Sequence, residues 1–357
     1  MDWVSFCAHA HRVMLAPLVY DRLRRFAGVL PGDVVEWLRH QYYFAVGRNL
    51  ALLHRLREIN AQLARRGVVP LVLKGPGLAH FGVGVNVRLF DDVDILVRRG
   101  DVDDVSAVLQ EMGYEGPASA AHPYHLRYVG SAGGLVTAVE VHFDLVDQVR
   151  RITPDVEGIR ARSVAVDVAG CVIRVPAVHD QLLLTAMQLG HHHWAVRLLV
   201  DVAFLASRWS HAIDWGDVFR RADAWRMGAL ARSALYVVSA LFGVALPAPV
   251  AADVRPEGYI RRVQWSVAMM AALEQFQDGG REVAWLAPYV VVDDAGRIPK
   301  LLVQRTLWPE KLDPEGPGAL SRGRRLLLVG AVLPAVLRVL WRSLDGHHAP
   351  RTTPMAE

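Results

Sequence analysis

Lysine is nearly absent from this chain: among 357 residues it stands only at Lys74, Lys300 and Lys311, and arginine carries the rest of the positive charge. A GC-rich coding sequence produces such a skew, and the skew singles out each lysine that is kept. Cysteine is scarcer still. Cys7 and Cys171 lie far apart in apolar surroundings, which fits buried, reduced thiols better than a disulfide framework. The opening MDWVSFCAHAHRV has no basic start, no uninterrupted apolar stretch and no small-residue cleavage site, so a cytoplasmic protein is expected. There is no internal repeat and no low-complexity tract. A concentrated basic stripe is also missing: the formal charge is +4 and the pI about 9.2, yet Asp and Glu interleave with Arg throughout. Acidic small molecules are therefore expected as partners, rather than nucleic acid.

What is present describes a packed protein. The hydrophobic fraction is 52%, there are ten Trp, and the mean hydropathy is +0.20. The length suggests two domains, or one with a helical extension. Apolar residues recur at helical spacing from Asp2 to about Leu63, with Pro31-Gly32 separating a first helix pair from one long helix. VVPLVLKG then reads as a buried strand, and Gly75-Pro76-Gly77 opens a short helix. A second strand is expected over Phe90 to Val97 and a helix over Val102 to Met112. Further strands follow at Tyr124 to Val129, Leu135 to Leu145 and Ser163 to Val175. This order predicts an α+β fold. From His179 the pattern is helical through about Phe242, Pro247-Ala248-Pro249 reads as a linker, and another helix covers Tyr259 to Phe276. The apolar run from Leu326 to Trp341 falls short of the roughly 20 residues of a bilayer span. The segment 324–341 is left as a docked core helix or an interfacial helix in peripheral membrane contact, with a disordered tail after it.

The chemistry concentrates in RLFDDVDILV. Strand alternation sets Asp92 and Asp94 on one face, with Val93 and Ile95 on the other. Two such carboxylates share hard cations, and Mg²⁺ takes one or two of them while leaving positions for phosphates. A bare D-x-D also occurs at solvated strand ends and helix caps. In TAVEVHFDL the same alternation turns Glu140, His142 and Asp144 to one face. That pattern is costly unless solvent or cations neutralise it, and it equally fits the wet face of an edge strand. Lys74 closes a buried strand just before Gly75, where backbone N–H groups and a helix start can meet an anion. Arg88 is a phosphate clamp by its guanidinium fork.

Taken together, VVPLVLKGPGLAHFG, RLFDDVDILV and VEVHFDL resemble the uncharacterised nucleotidyltransferase family of the DNA polymerase beta superfamily, the branch with Lys-Gly in its first motif. The resemblance extends over roughly residues 2 to 245. It implies a polymerase-beta-like core with a mixed sheet over 68–178, flanked by helical regions at 1–67 and 179–345, with a tail at 346–357. It also implies an NTP substrate, Mg²⁺ or alternatively Mn²⁺ bound by Asp92, Asp94 and Glu140, and Glu140 helping to deprotonate an acceptor hydroxyl. The wider superfamily holds the triphosphate with Gly-Ser; here Lys74-Gly75 stands instead, with lysine replacing the hydroxyl's hydrogen bond by charge. The acceptor implied is a small molecule or peptide, as in natural-product tailoring. Three other readings stay open: a non-catalytic nucleotide or phospho-ligand binding module, a tRNA-modifying toxin, and a diverged sugar or phosphate transferase using a nucleotide-activated donor. His191, Arg197 and Asp201 are secondary site residues, Arg197 and Asp201 sharing a helix face as an ion pair at a surface or domain interface. His191 to His193 point apart on a helix and cannot by themselves hold zinc.

Overall fold

The computed structural model describes residues 2–117, 124–132, 135–147, 150–275, 282–298, 300 and 301. The segment 324–341 and the tail after it lie outside the described residues. Among those described, no helix is long and apolar enough to cross a membrane.

The chain opens with α1 (Trp3–Arg12), α2 (Ala16–Leu23) and a long α3 (Gly32–Arg65). Asp2 starts α1 by accepting the amides of Val4 and Ser5. α3 buries Val34, Leu38, Ala45, Asn49, Leu52, Leu56, Ile59 and Leu63, a stripe at helical spacing. Its N-terminal end packs with Ala10 and Ala16 in a small cluster, while its C-terminal half enters the main core. It stops at Gly67, whose φ of 74° suits the left-handed residue that ends a helix.

Among the described residues, six strands make one mixed sheet: β1 (Leu71–Val72), β2 (Val93–Leu96), β3 (His125–Ala132), β4 (Leu135–His142), β5 (Val164–Val168) and β6 (Cys171–Val175). Their order is β3-β4-β2-β1-β6-β5, with β2–β4 and β1–β6 parallel and the other pairs antiparallel. The α+β class with a mixed sheet is as the sequence predicts. One strand that matters to the site is shorter than expected: β2 begins at Val93 rather than Phe90, so Asp92 lies in the loop before it. The cause is local. Asn49 accepts the Phe90 amide and Arg48 donates to the Phe90 and Asp91 carbonyls, so these backbone groups bond to α3 side chains instead of a neighbouring strand. α4 (Lys74–Leu78) follows β1, α5 (Val102–Glu111) follows β2, and α6 (Val156–Arg162) precedes β5.

The helices α7 (Val178–His191), α8 (Val196–Arg208), α9 (Trp215–Ala224) and α10 (Gly228–Phe242) pack beside the sheet. They share its core: Leu183, Leu199 and Ala234 belong to the same apolar cluster as Val72, Ile95 and Val141. The linker expected at Pro247-Ala248-Pro249 is instead the start of α11 (Ala248–Asp253), since proline is tolerated in a first helical turn whose N–H groups lack partners anyway. α12 (Gly258–Glu274) and α13 (Glu282–Val290) complete the described helices.

Candidate active site

The register of the two parallel strands builds the site. Asp94 of β2 lies opposite Glu140 of β4, and Leu96 opposite His142, so Asp94, Glu140 and His142 rise from one sheet face. The Leu73 amide donates to the Asp94 carbonyl, which seats the next residue, Lys74, beside the same carboxylate. Lys74 takes a left-handed φ of 47°, a conformation that costs a non-glycine residue about 1–3 kcal/mol. Its ammonium offsets that cost by lying 2.5 Å from Asp94 Oδ1 and 3.7 Å from Glu140 Oε2. Behind it, a Cβ on Gly77 would stand 2.9 Å from the Val72 carbonyl oxygen, and one on Gly75 would stand 3.1 Å from the Phe90 ring. The Lys-Gly-Pro-Gly turn therefore fits against β1 only with glycine at position 77, and a side chain at 75 would need the Phe90 ring to shift.

His142 Nε2 is 2.9 Å from Asp94 Oδ1 and 3.6 Å from Glu140 Oε2. One ligand atom from each of Asp94, Glu140 and His142 falls within 4.8 Å of the others, and among the described residues no other group of His, Cys, Asp and Glu does this. Asp92 does not join that group. Asp94 is fully buried, and its Oδ2 has no hydrogen-bond partner. A buried carboxylate oxygen left unpaired costs about 1–3 kcal/mol or more, so this atom fits a cation ligand.

The charges divide the two aspartates. Burial opposes ionisation of Asp94, but the Lys74 ammonium and the His142 hydrogen bond overcome it and hold the carboxyl well below its ordinary range. Burial likewise opposes, and His142 and Lys74 likewise lower, the Glu140 carboxyl. Asp92 goes the other way: burial, then the Asp94 charge, pushes it up to about 6, against a partial offset from Lys74. Lys74 and His142 are both raised, the pull of the carboxylates exceeding the effect of burial.

Next to this cluster is a cavity of about 180 Å³. Lys74, Gly75, Arg88, Asp92 and His142 line it from the sheet side, and Gln181, Thr185, Gln188, His192 and Arg197 from α7 and α8. That volume is below the roughly 300–1,000 Å³ of pockets for drug-sized ligands, so a whole nucleoside triphosphate has to extend beyond it.

Two ion pairs fasten the site loop to α8. Arg88 Nε donates to both oxygens of Asp201 at 3.1 and 3.0 Å, and Arg197 Nη1 to Asp91 Oδ2 at 2.7 Å. Arg197 and Asp201 do share a helix face, but they pair with the loop and not with each other. Arg88, read from sequence as a phosphate clamp, thus commits its Nε to Asp201 while still lining the cavity. His191 stands apart, 3.6 Å from Asp147 Oδ2 in a cluster with Arg150; its neighbour His192 reaches the cavity instead.

Sequence reasoning missed Asn49, which is fully buried and bonds the Val85 and Arg88 carbonyls as well as the Phe90 amide, fixing the loop that carries Arg88 and Asp92. It also missed Gln181, Thr185, Gln188 and His192 on the cavity wall. Their spacing of four, three and four puts them on one face of α7 and its C-cap, a signal that was there to read.

In this mixed sheet the second aspartate of D-x-D stands on one strand, and a carboxylate stands in register with it on the next, as the resemblance to a nucleotidyltransferase implies. The family described as uncharacterised nucleotidyltransferase matches residues 1–243, and the chain belongs to it. No curated protein matches the chain. Among solved structures it is similar to the antibiotic-resistance factor ANT(2'')-Ia in solution, at 12% identity and a TM-score of 0.36, covering 50% of this chain and 92% of that one. It is also similar to the crystal structure of ANT(2'')-Ia in complex with adenylyl-2''-tobramycin, at 13% identity and a TM-score of 0.32, covering 49% and 96% respectively.

Proposed function

We propose that this enzyme moves a nucleotidyl group from a nucleoside triphosphate to a hydroxyl of a small-molecule or peptide acceptor, assisted by Mg²⁺ or Mn²⁺. The observation that carries this reading is the buried Asp94, opposite Glu140 in the sheet, with one oxygen that no donor reaches. A divalent cation held by Asp94 and Glu140, with Asp92 nearby on the cavity wall, would supply positive charge to the phosphoryl oxygens and lower the pKa of the attacking hydroxyl.

The chain's own residues supply the rest. Lys74 brings an ammonium to the cavity wall, where it meets incoming phosphates. Arg88 and Arg197 line the same cavity, each oriented by its aspartate partner, so the phosphates enter a preformed arrangement of cations. Glu140, beside Asp94, is the carboxylate that draws the proton from the acceptor. Gln181, Thr185 and Gln188 offer neutral hydrogen-bonding groups, which suit the hydroxyl-bearing acceptors of natural-product tailoring.

Intact-mass measurement of acceptors incubated with each NTP, together with pyrophosphate release, tests the reading. Asp94→Asn is expected to lower turnover by roughly a hundredfold or more. Full activity in both Asp92→Asn and Asp94→Asn would overturn it. One observation favours a non-catalytic nucleotide-binding module instead: Lys74 already neutralises Asp94 and Glu140. Calorimetric nucleotide affinity with no product mass for any acceptor would select that alternative.

A further inference from the structure

The register that pairs Asp94 with Glu140 also brings a nitrogen donor to the same point. We infer that His142 is a ligand of the cation in its own right, so that the centre has two carboxylates and one imidazole and prefers Mn²⁺ to Mg²⁺. This rests on the proposed function only through the shared carboxylates of Asp94 and Glu140.

The geometry is that of a coordination sphere lacking its centre. Ligands about 2.1–2.2 Å from one ion stand at most about 4.3 Å apart. Donor atoms of Asp94, Glu140 and His142 lie within 4.8 Å of one another, so shifts of a few tenths of an ångström close them on an ion. Asp94 Oδ1 receives Lys74 and His142, whereas Oδ2 is buried without a partner, and an oxygen in that state points to a ligand. The imidazole stands at the end of β4 against its ring neighbour His125, at 5.0 Å between centroids.

The donor chemistry sets the preference. Mg²⁺ takes oxygen almost exclusively and keeps its waters, whereas imidazole nitrogen suits transition ions. Of the two ions, Mn²⁺ is the transition ion and tolerates an imidazole beside carboxylates better than Mg²⁺ does, so an O, O, N set shifts selectivity toward it. Lys74 has to leave Asp94 Oδ1 for the ion to enter, and its place on the cavity wall gives it somewhere to go.

The test uses the full chain and Mn²⁺ itself. Electron spin echo modulation of bound Mn²⁺ reads coupling to ¹⁴N, and titration reads affinity for Mn²⁺ and for Mg²⁺ by competition. In the unaltered chain a ¹⁴N coupling is expected. In His142→Gln the coupling should vanish, with Mn²⁺ affinity falling roughly tenfold or more and Mg²⁺ affinity changing less than about threefold. Mn²⁺ bound without ¹⁴N coupling, but lost in Asp94→Asn, overturns His142 as a ligand and leaves the carboxylate centre intact. Mn²⁺ affinity that is negligible, or indifferent to Asp94→Asn, overturns this inference and the cation site together. Coupling seen in a chain that transfers no nucleotide upholds the inference and removes the proposed function. The unaltered chain answers the central question whether or not the variants fold.

Discussion

Burial and the charges of Asp94 and Glu140 push the Asp92 carboxyl up to about 6 from an ordinary 3.8, with Lys74 offsetting part of the effect. A raised carboxyl penalises the charged form in the fold, so the cost is absent below about 3.8, grows through the window up to about 6, and is complete above it. At about 1.4 kcal/mol per unit, the cation-free chain pays on the order of 1–3 kcal/mol at pH 7.5. Asp92→Asn should therefore be more stable than the parent by that amount in urea unfolding with chelator present. The gain should fall to roughly half at pH 5. Equal stability of the two chains at pH 7.5 would show that Asp92 meets no such strain. The same residues show what could be read in advance. Glu140 and His142 share a face because strand period is two, and a nine-residue stretch such as TAVEVHFDL displays that period plainly, whereas the register that sets Asp94 beside them is a tertiary pairing. Asn49 carries no such mark, since one asparagine inside a 34-residue helix looks alike whether it faces water or three backbone groups of a distant loop. His191 and His192 differ by about 100° of helix rotation, and the sequence does not fix that phase where α7 ends and left-handed His193 and Trp194 follow.

The loop before β2 is held from two sides, by Asn49 and Arg48 of α3 and by Arg197 and Asp201 of α8. Helical periodicity showed that Arg197 and Asp201 face one way; it carried no information on what lies opposite, because their partners are over 100 residues earlier. Loops of this kind owe their shape to tertiary contacts, which is also why β2 was expected to start too early. Arg88 and Asp201 are both buried, so removing one partner leaves an uncompensated charge. Asp201→Ala is expected to cost about 3–5 kcal/mol of stability, while the double change Arg88→Met with Asp201→Leu should recover most of it. Chemical denaturation of the three chains checks this. The double variant also separates stability from ligand binding: a KM for NTP equal to that of the parent would remove Arg88 from the phosphate site, and a raised KM with an intact fold would keep it there.

Both walls of the cavity belong to one packed body. Leu56 of α3, Val72 and Ile95 of the sheet, Leu183 of α7, Leu199 of α8 and Ala268 of α12 sit in a single apolar cluster. The part beyond residue 243 is fastened as well, Asp293 accepting the first amides of α10. A ligand that touches both walls must then stabilise the molecule as a unit, by RT ln(1 + [L]/Kd), or about 2.7 kcal/mol at a hundred times Kd. For a chain of this length the unfolding entropy turns that into a rise of roughly 4 °C in Tm. Calorimetric scans with NTP and a divalent cation together should show one transition shifted by that amount, and Asp94→Asn should lose most of the shift because the phosphates no longer share a cation with the sheet. Two transitions, with only one moved by ligand, would mean that the helices α7 and α8 unfold apart from the sheet and that the cavity between them does not link their stabilities.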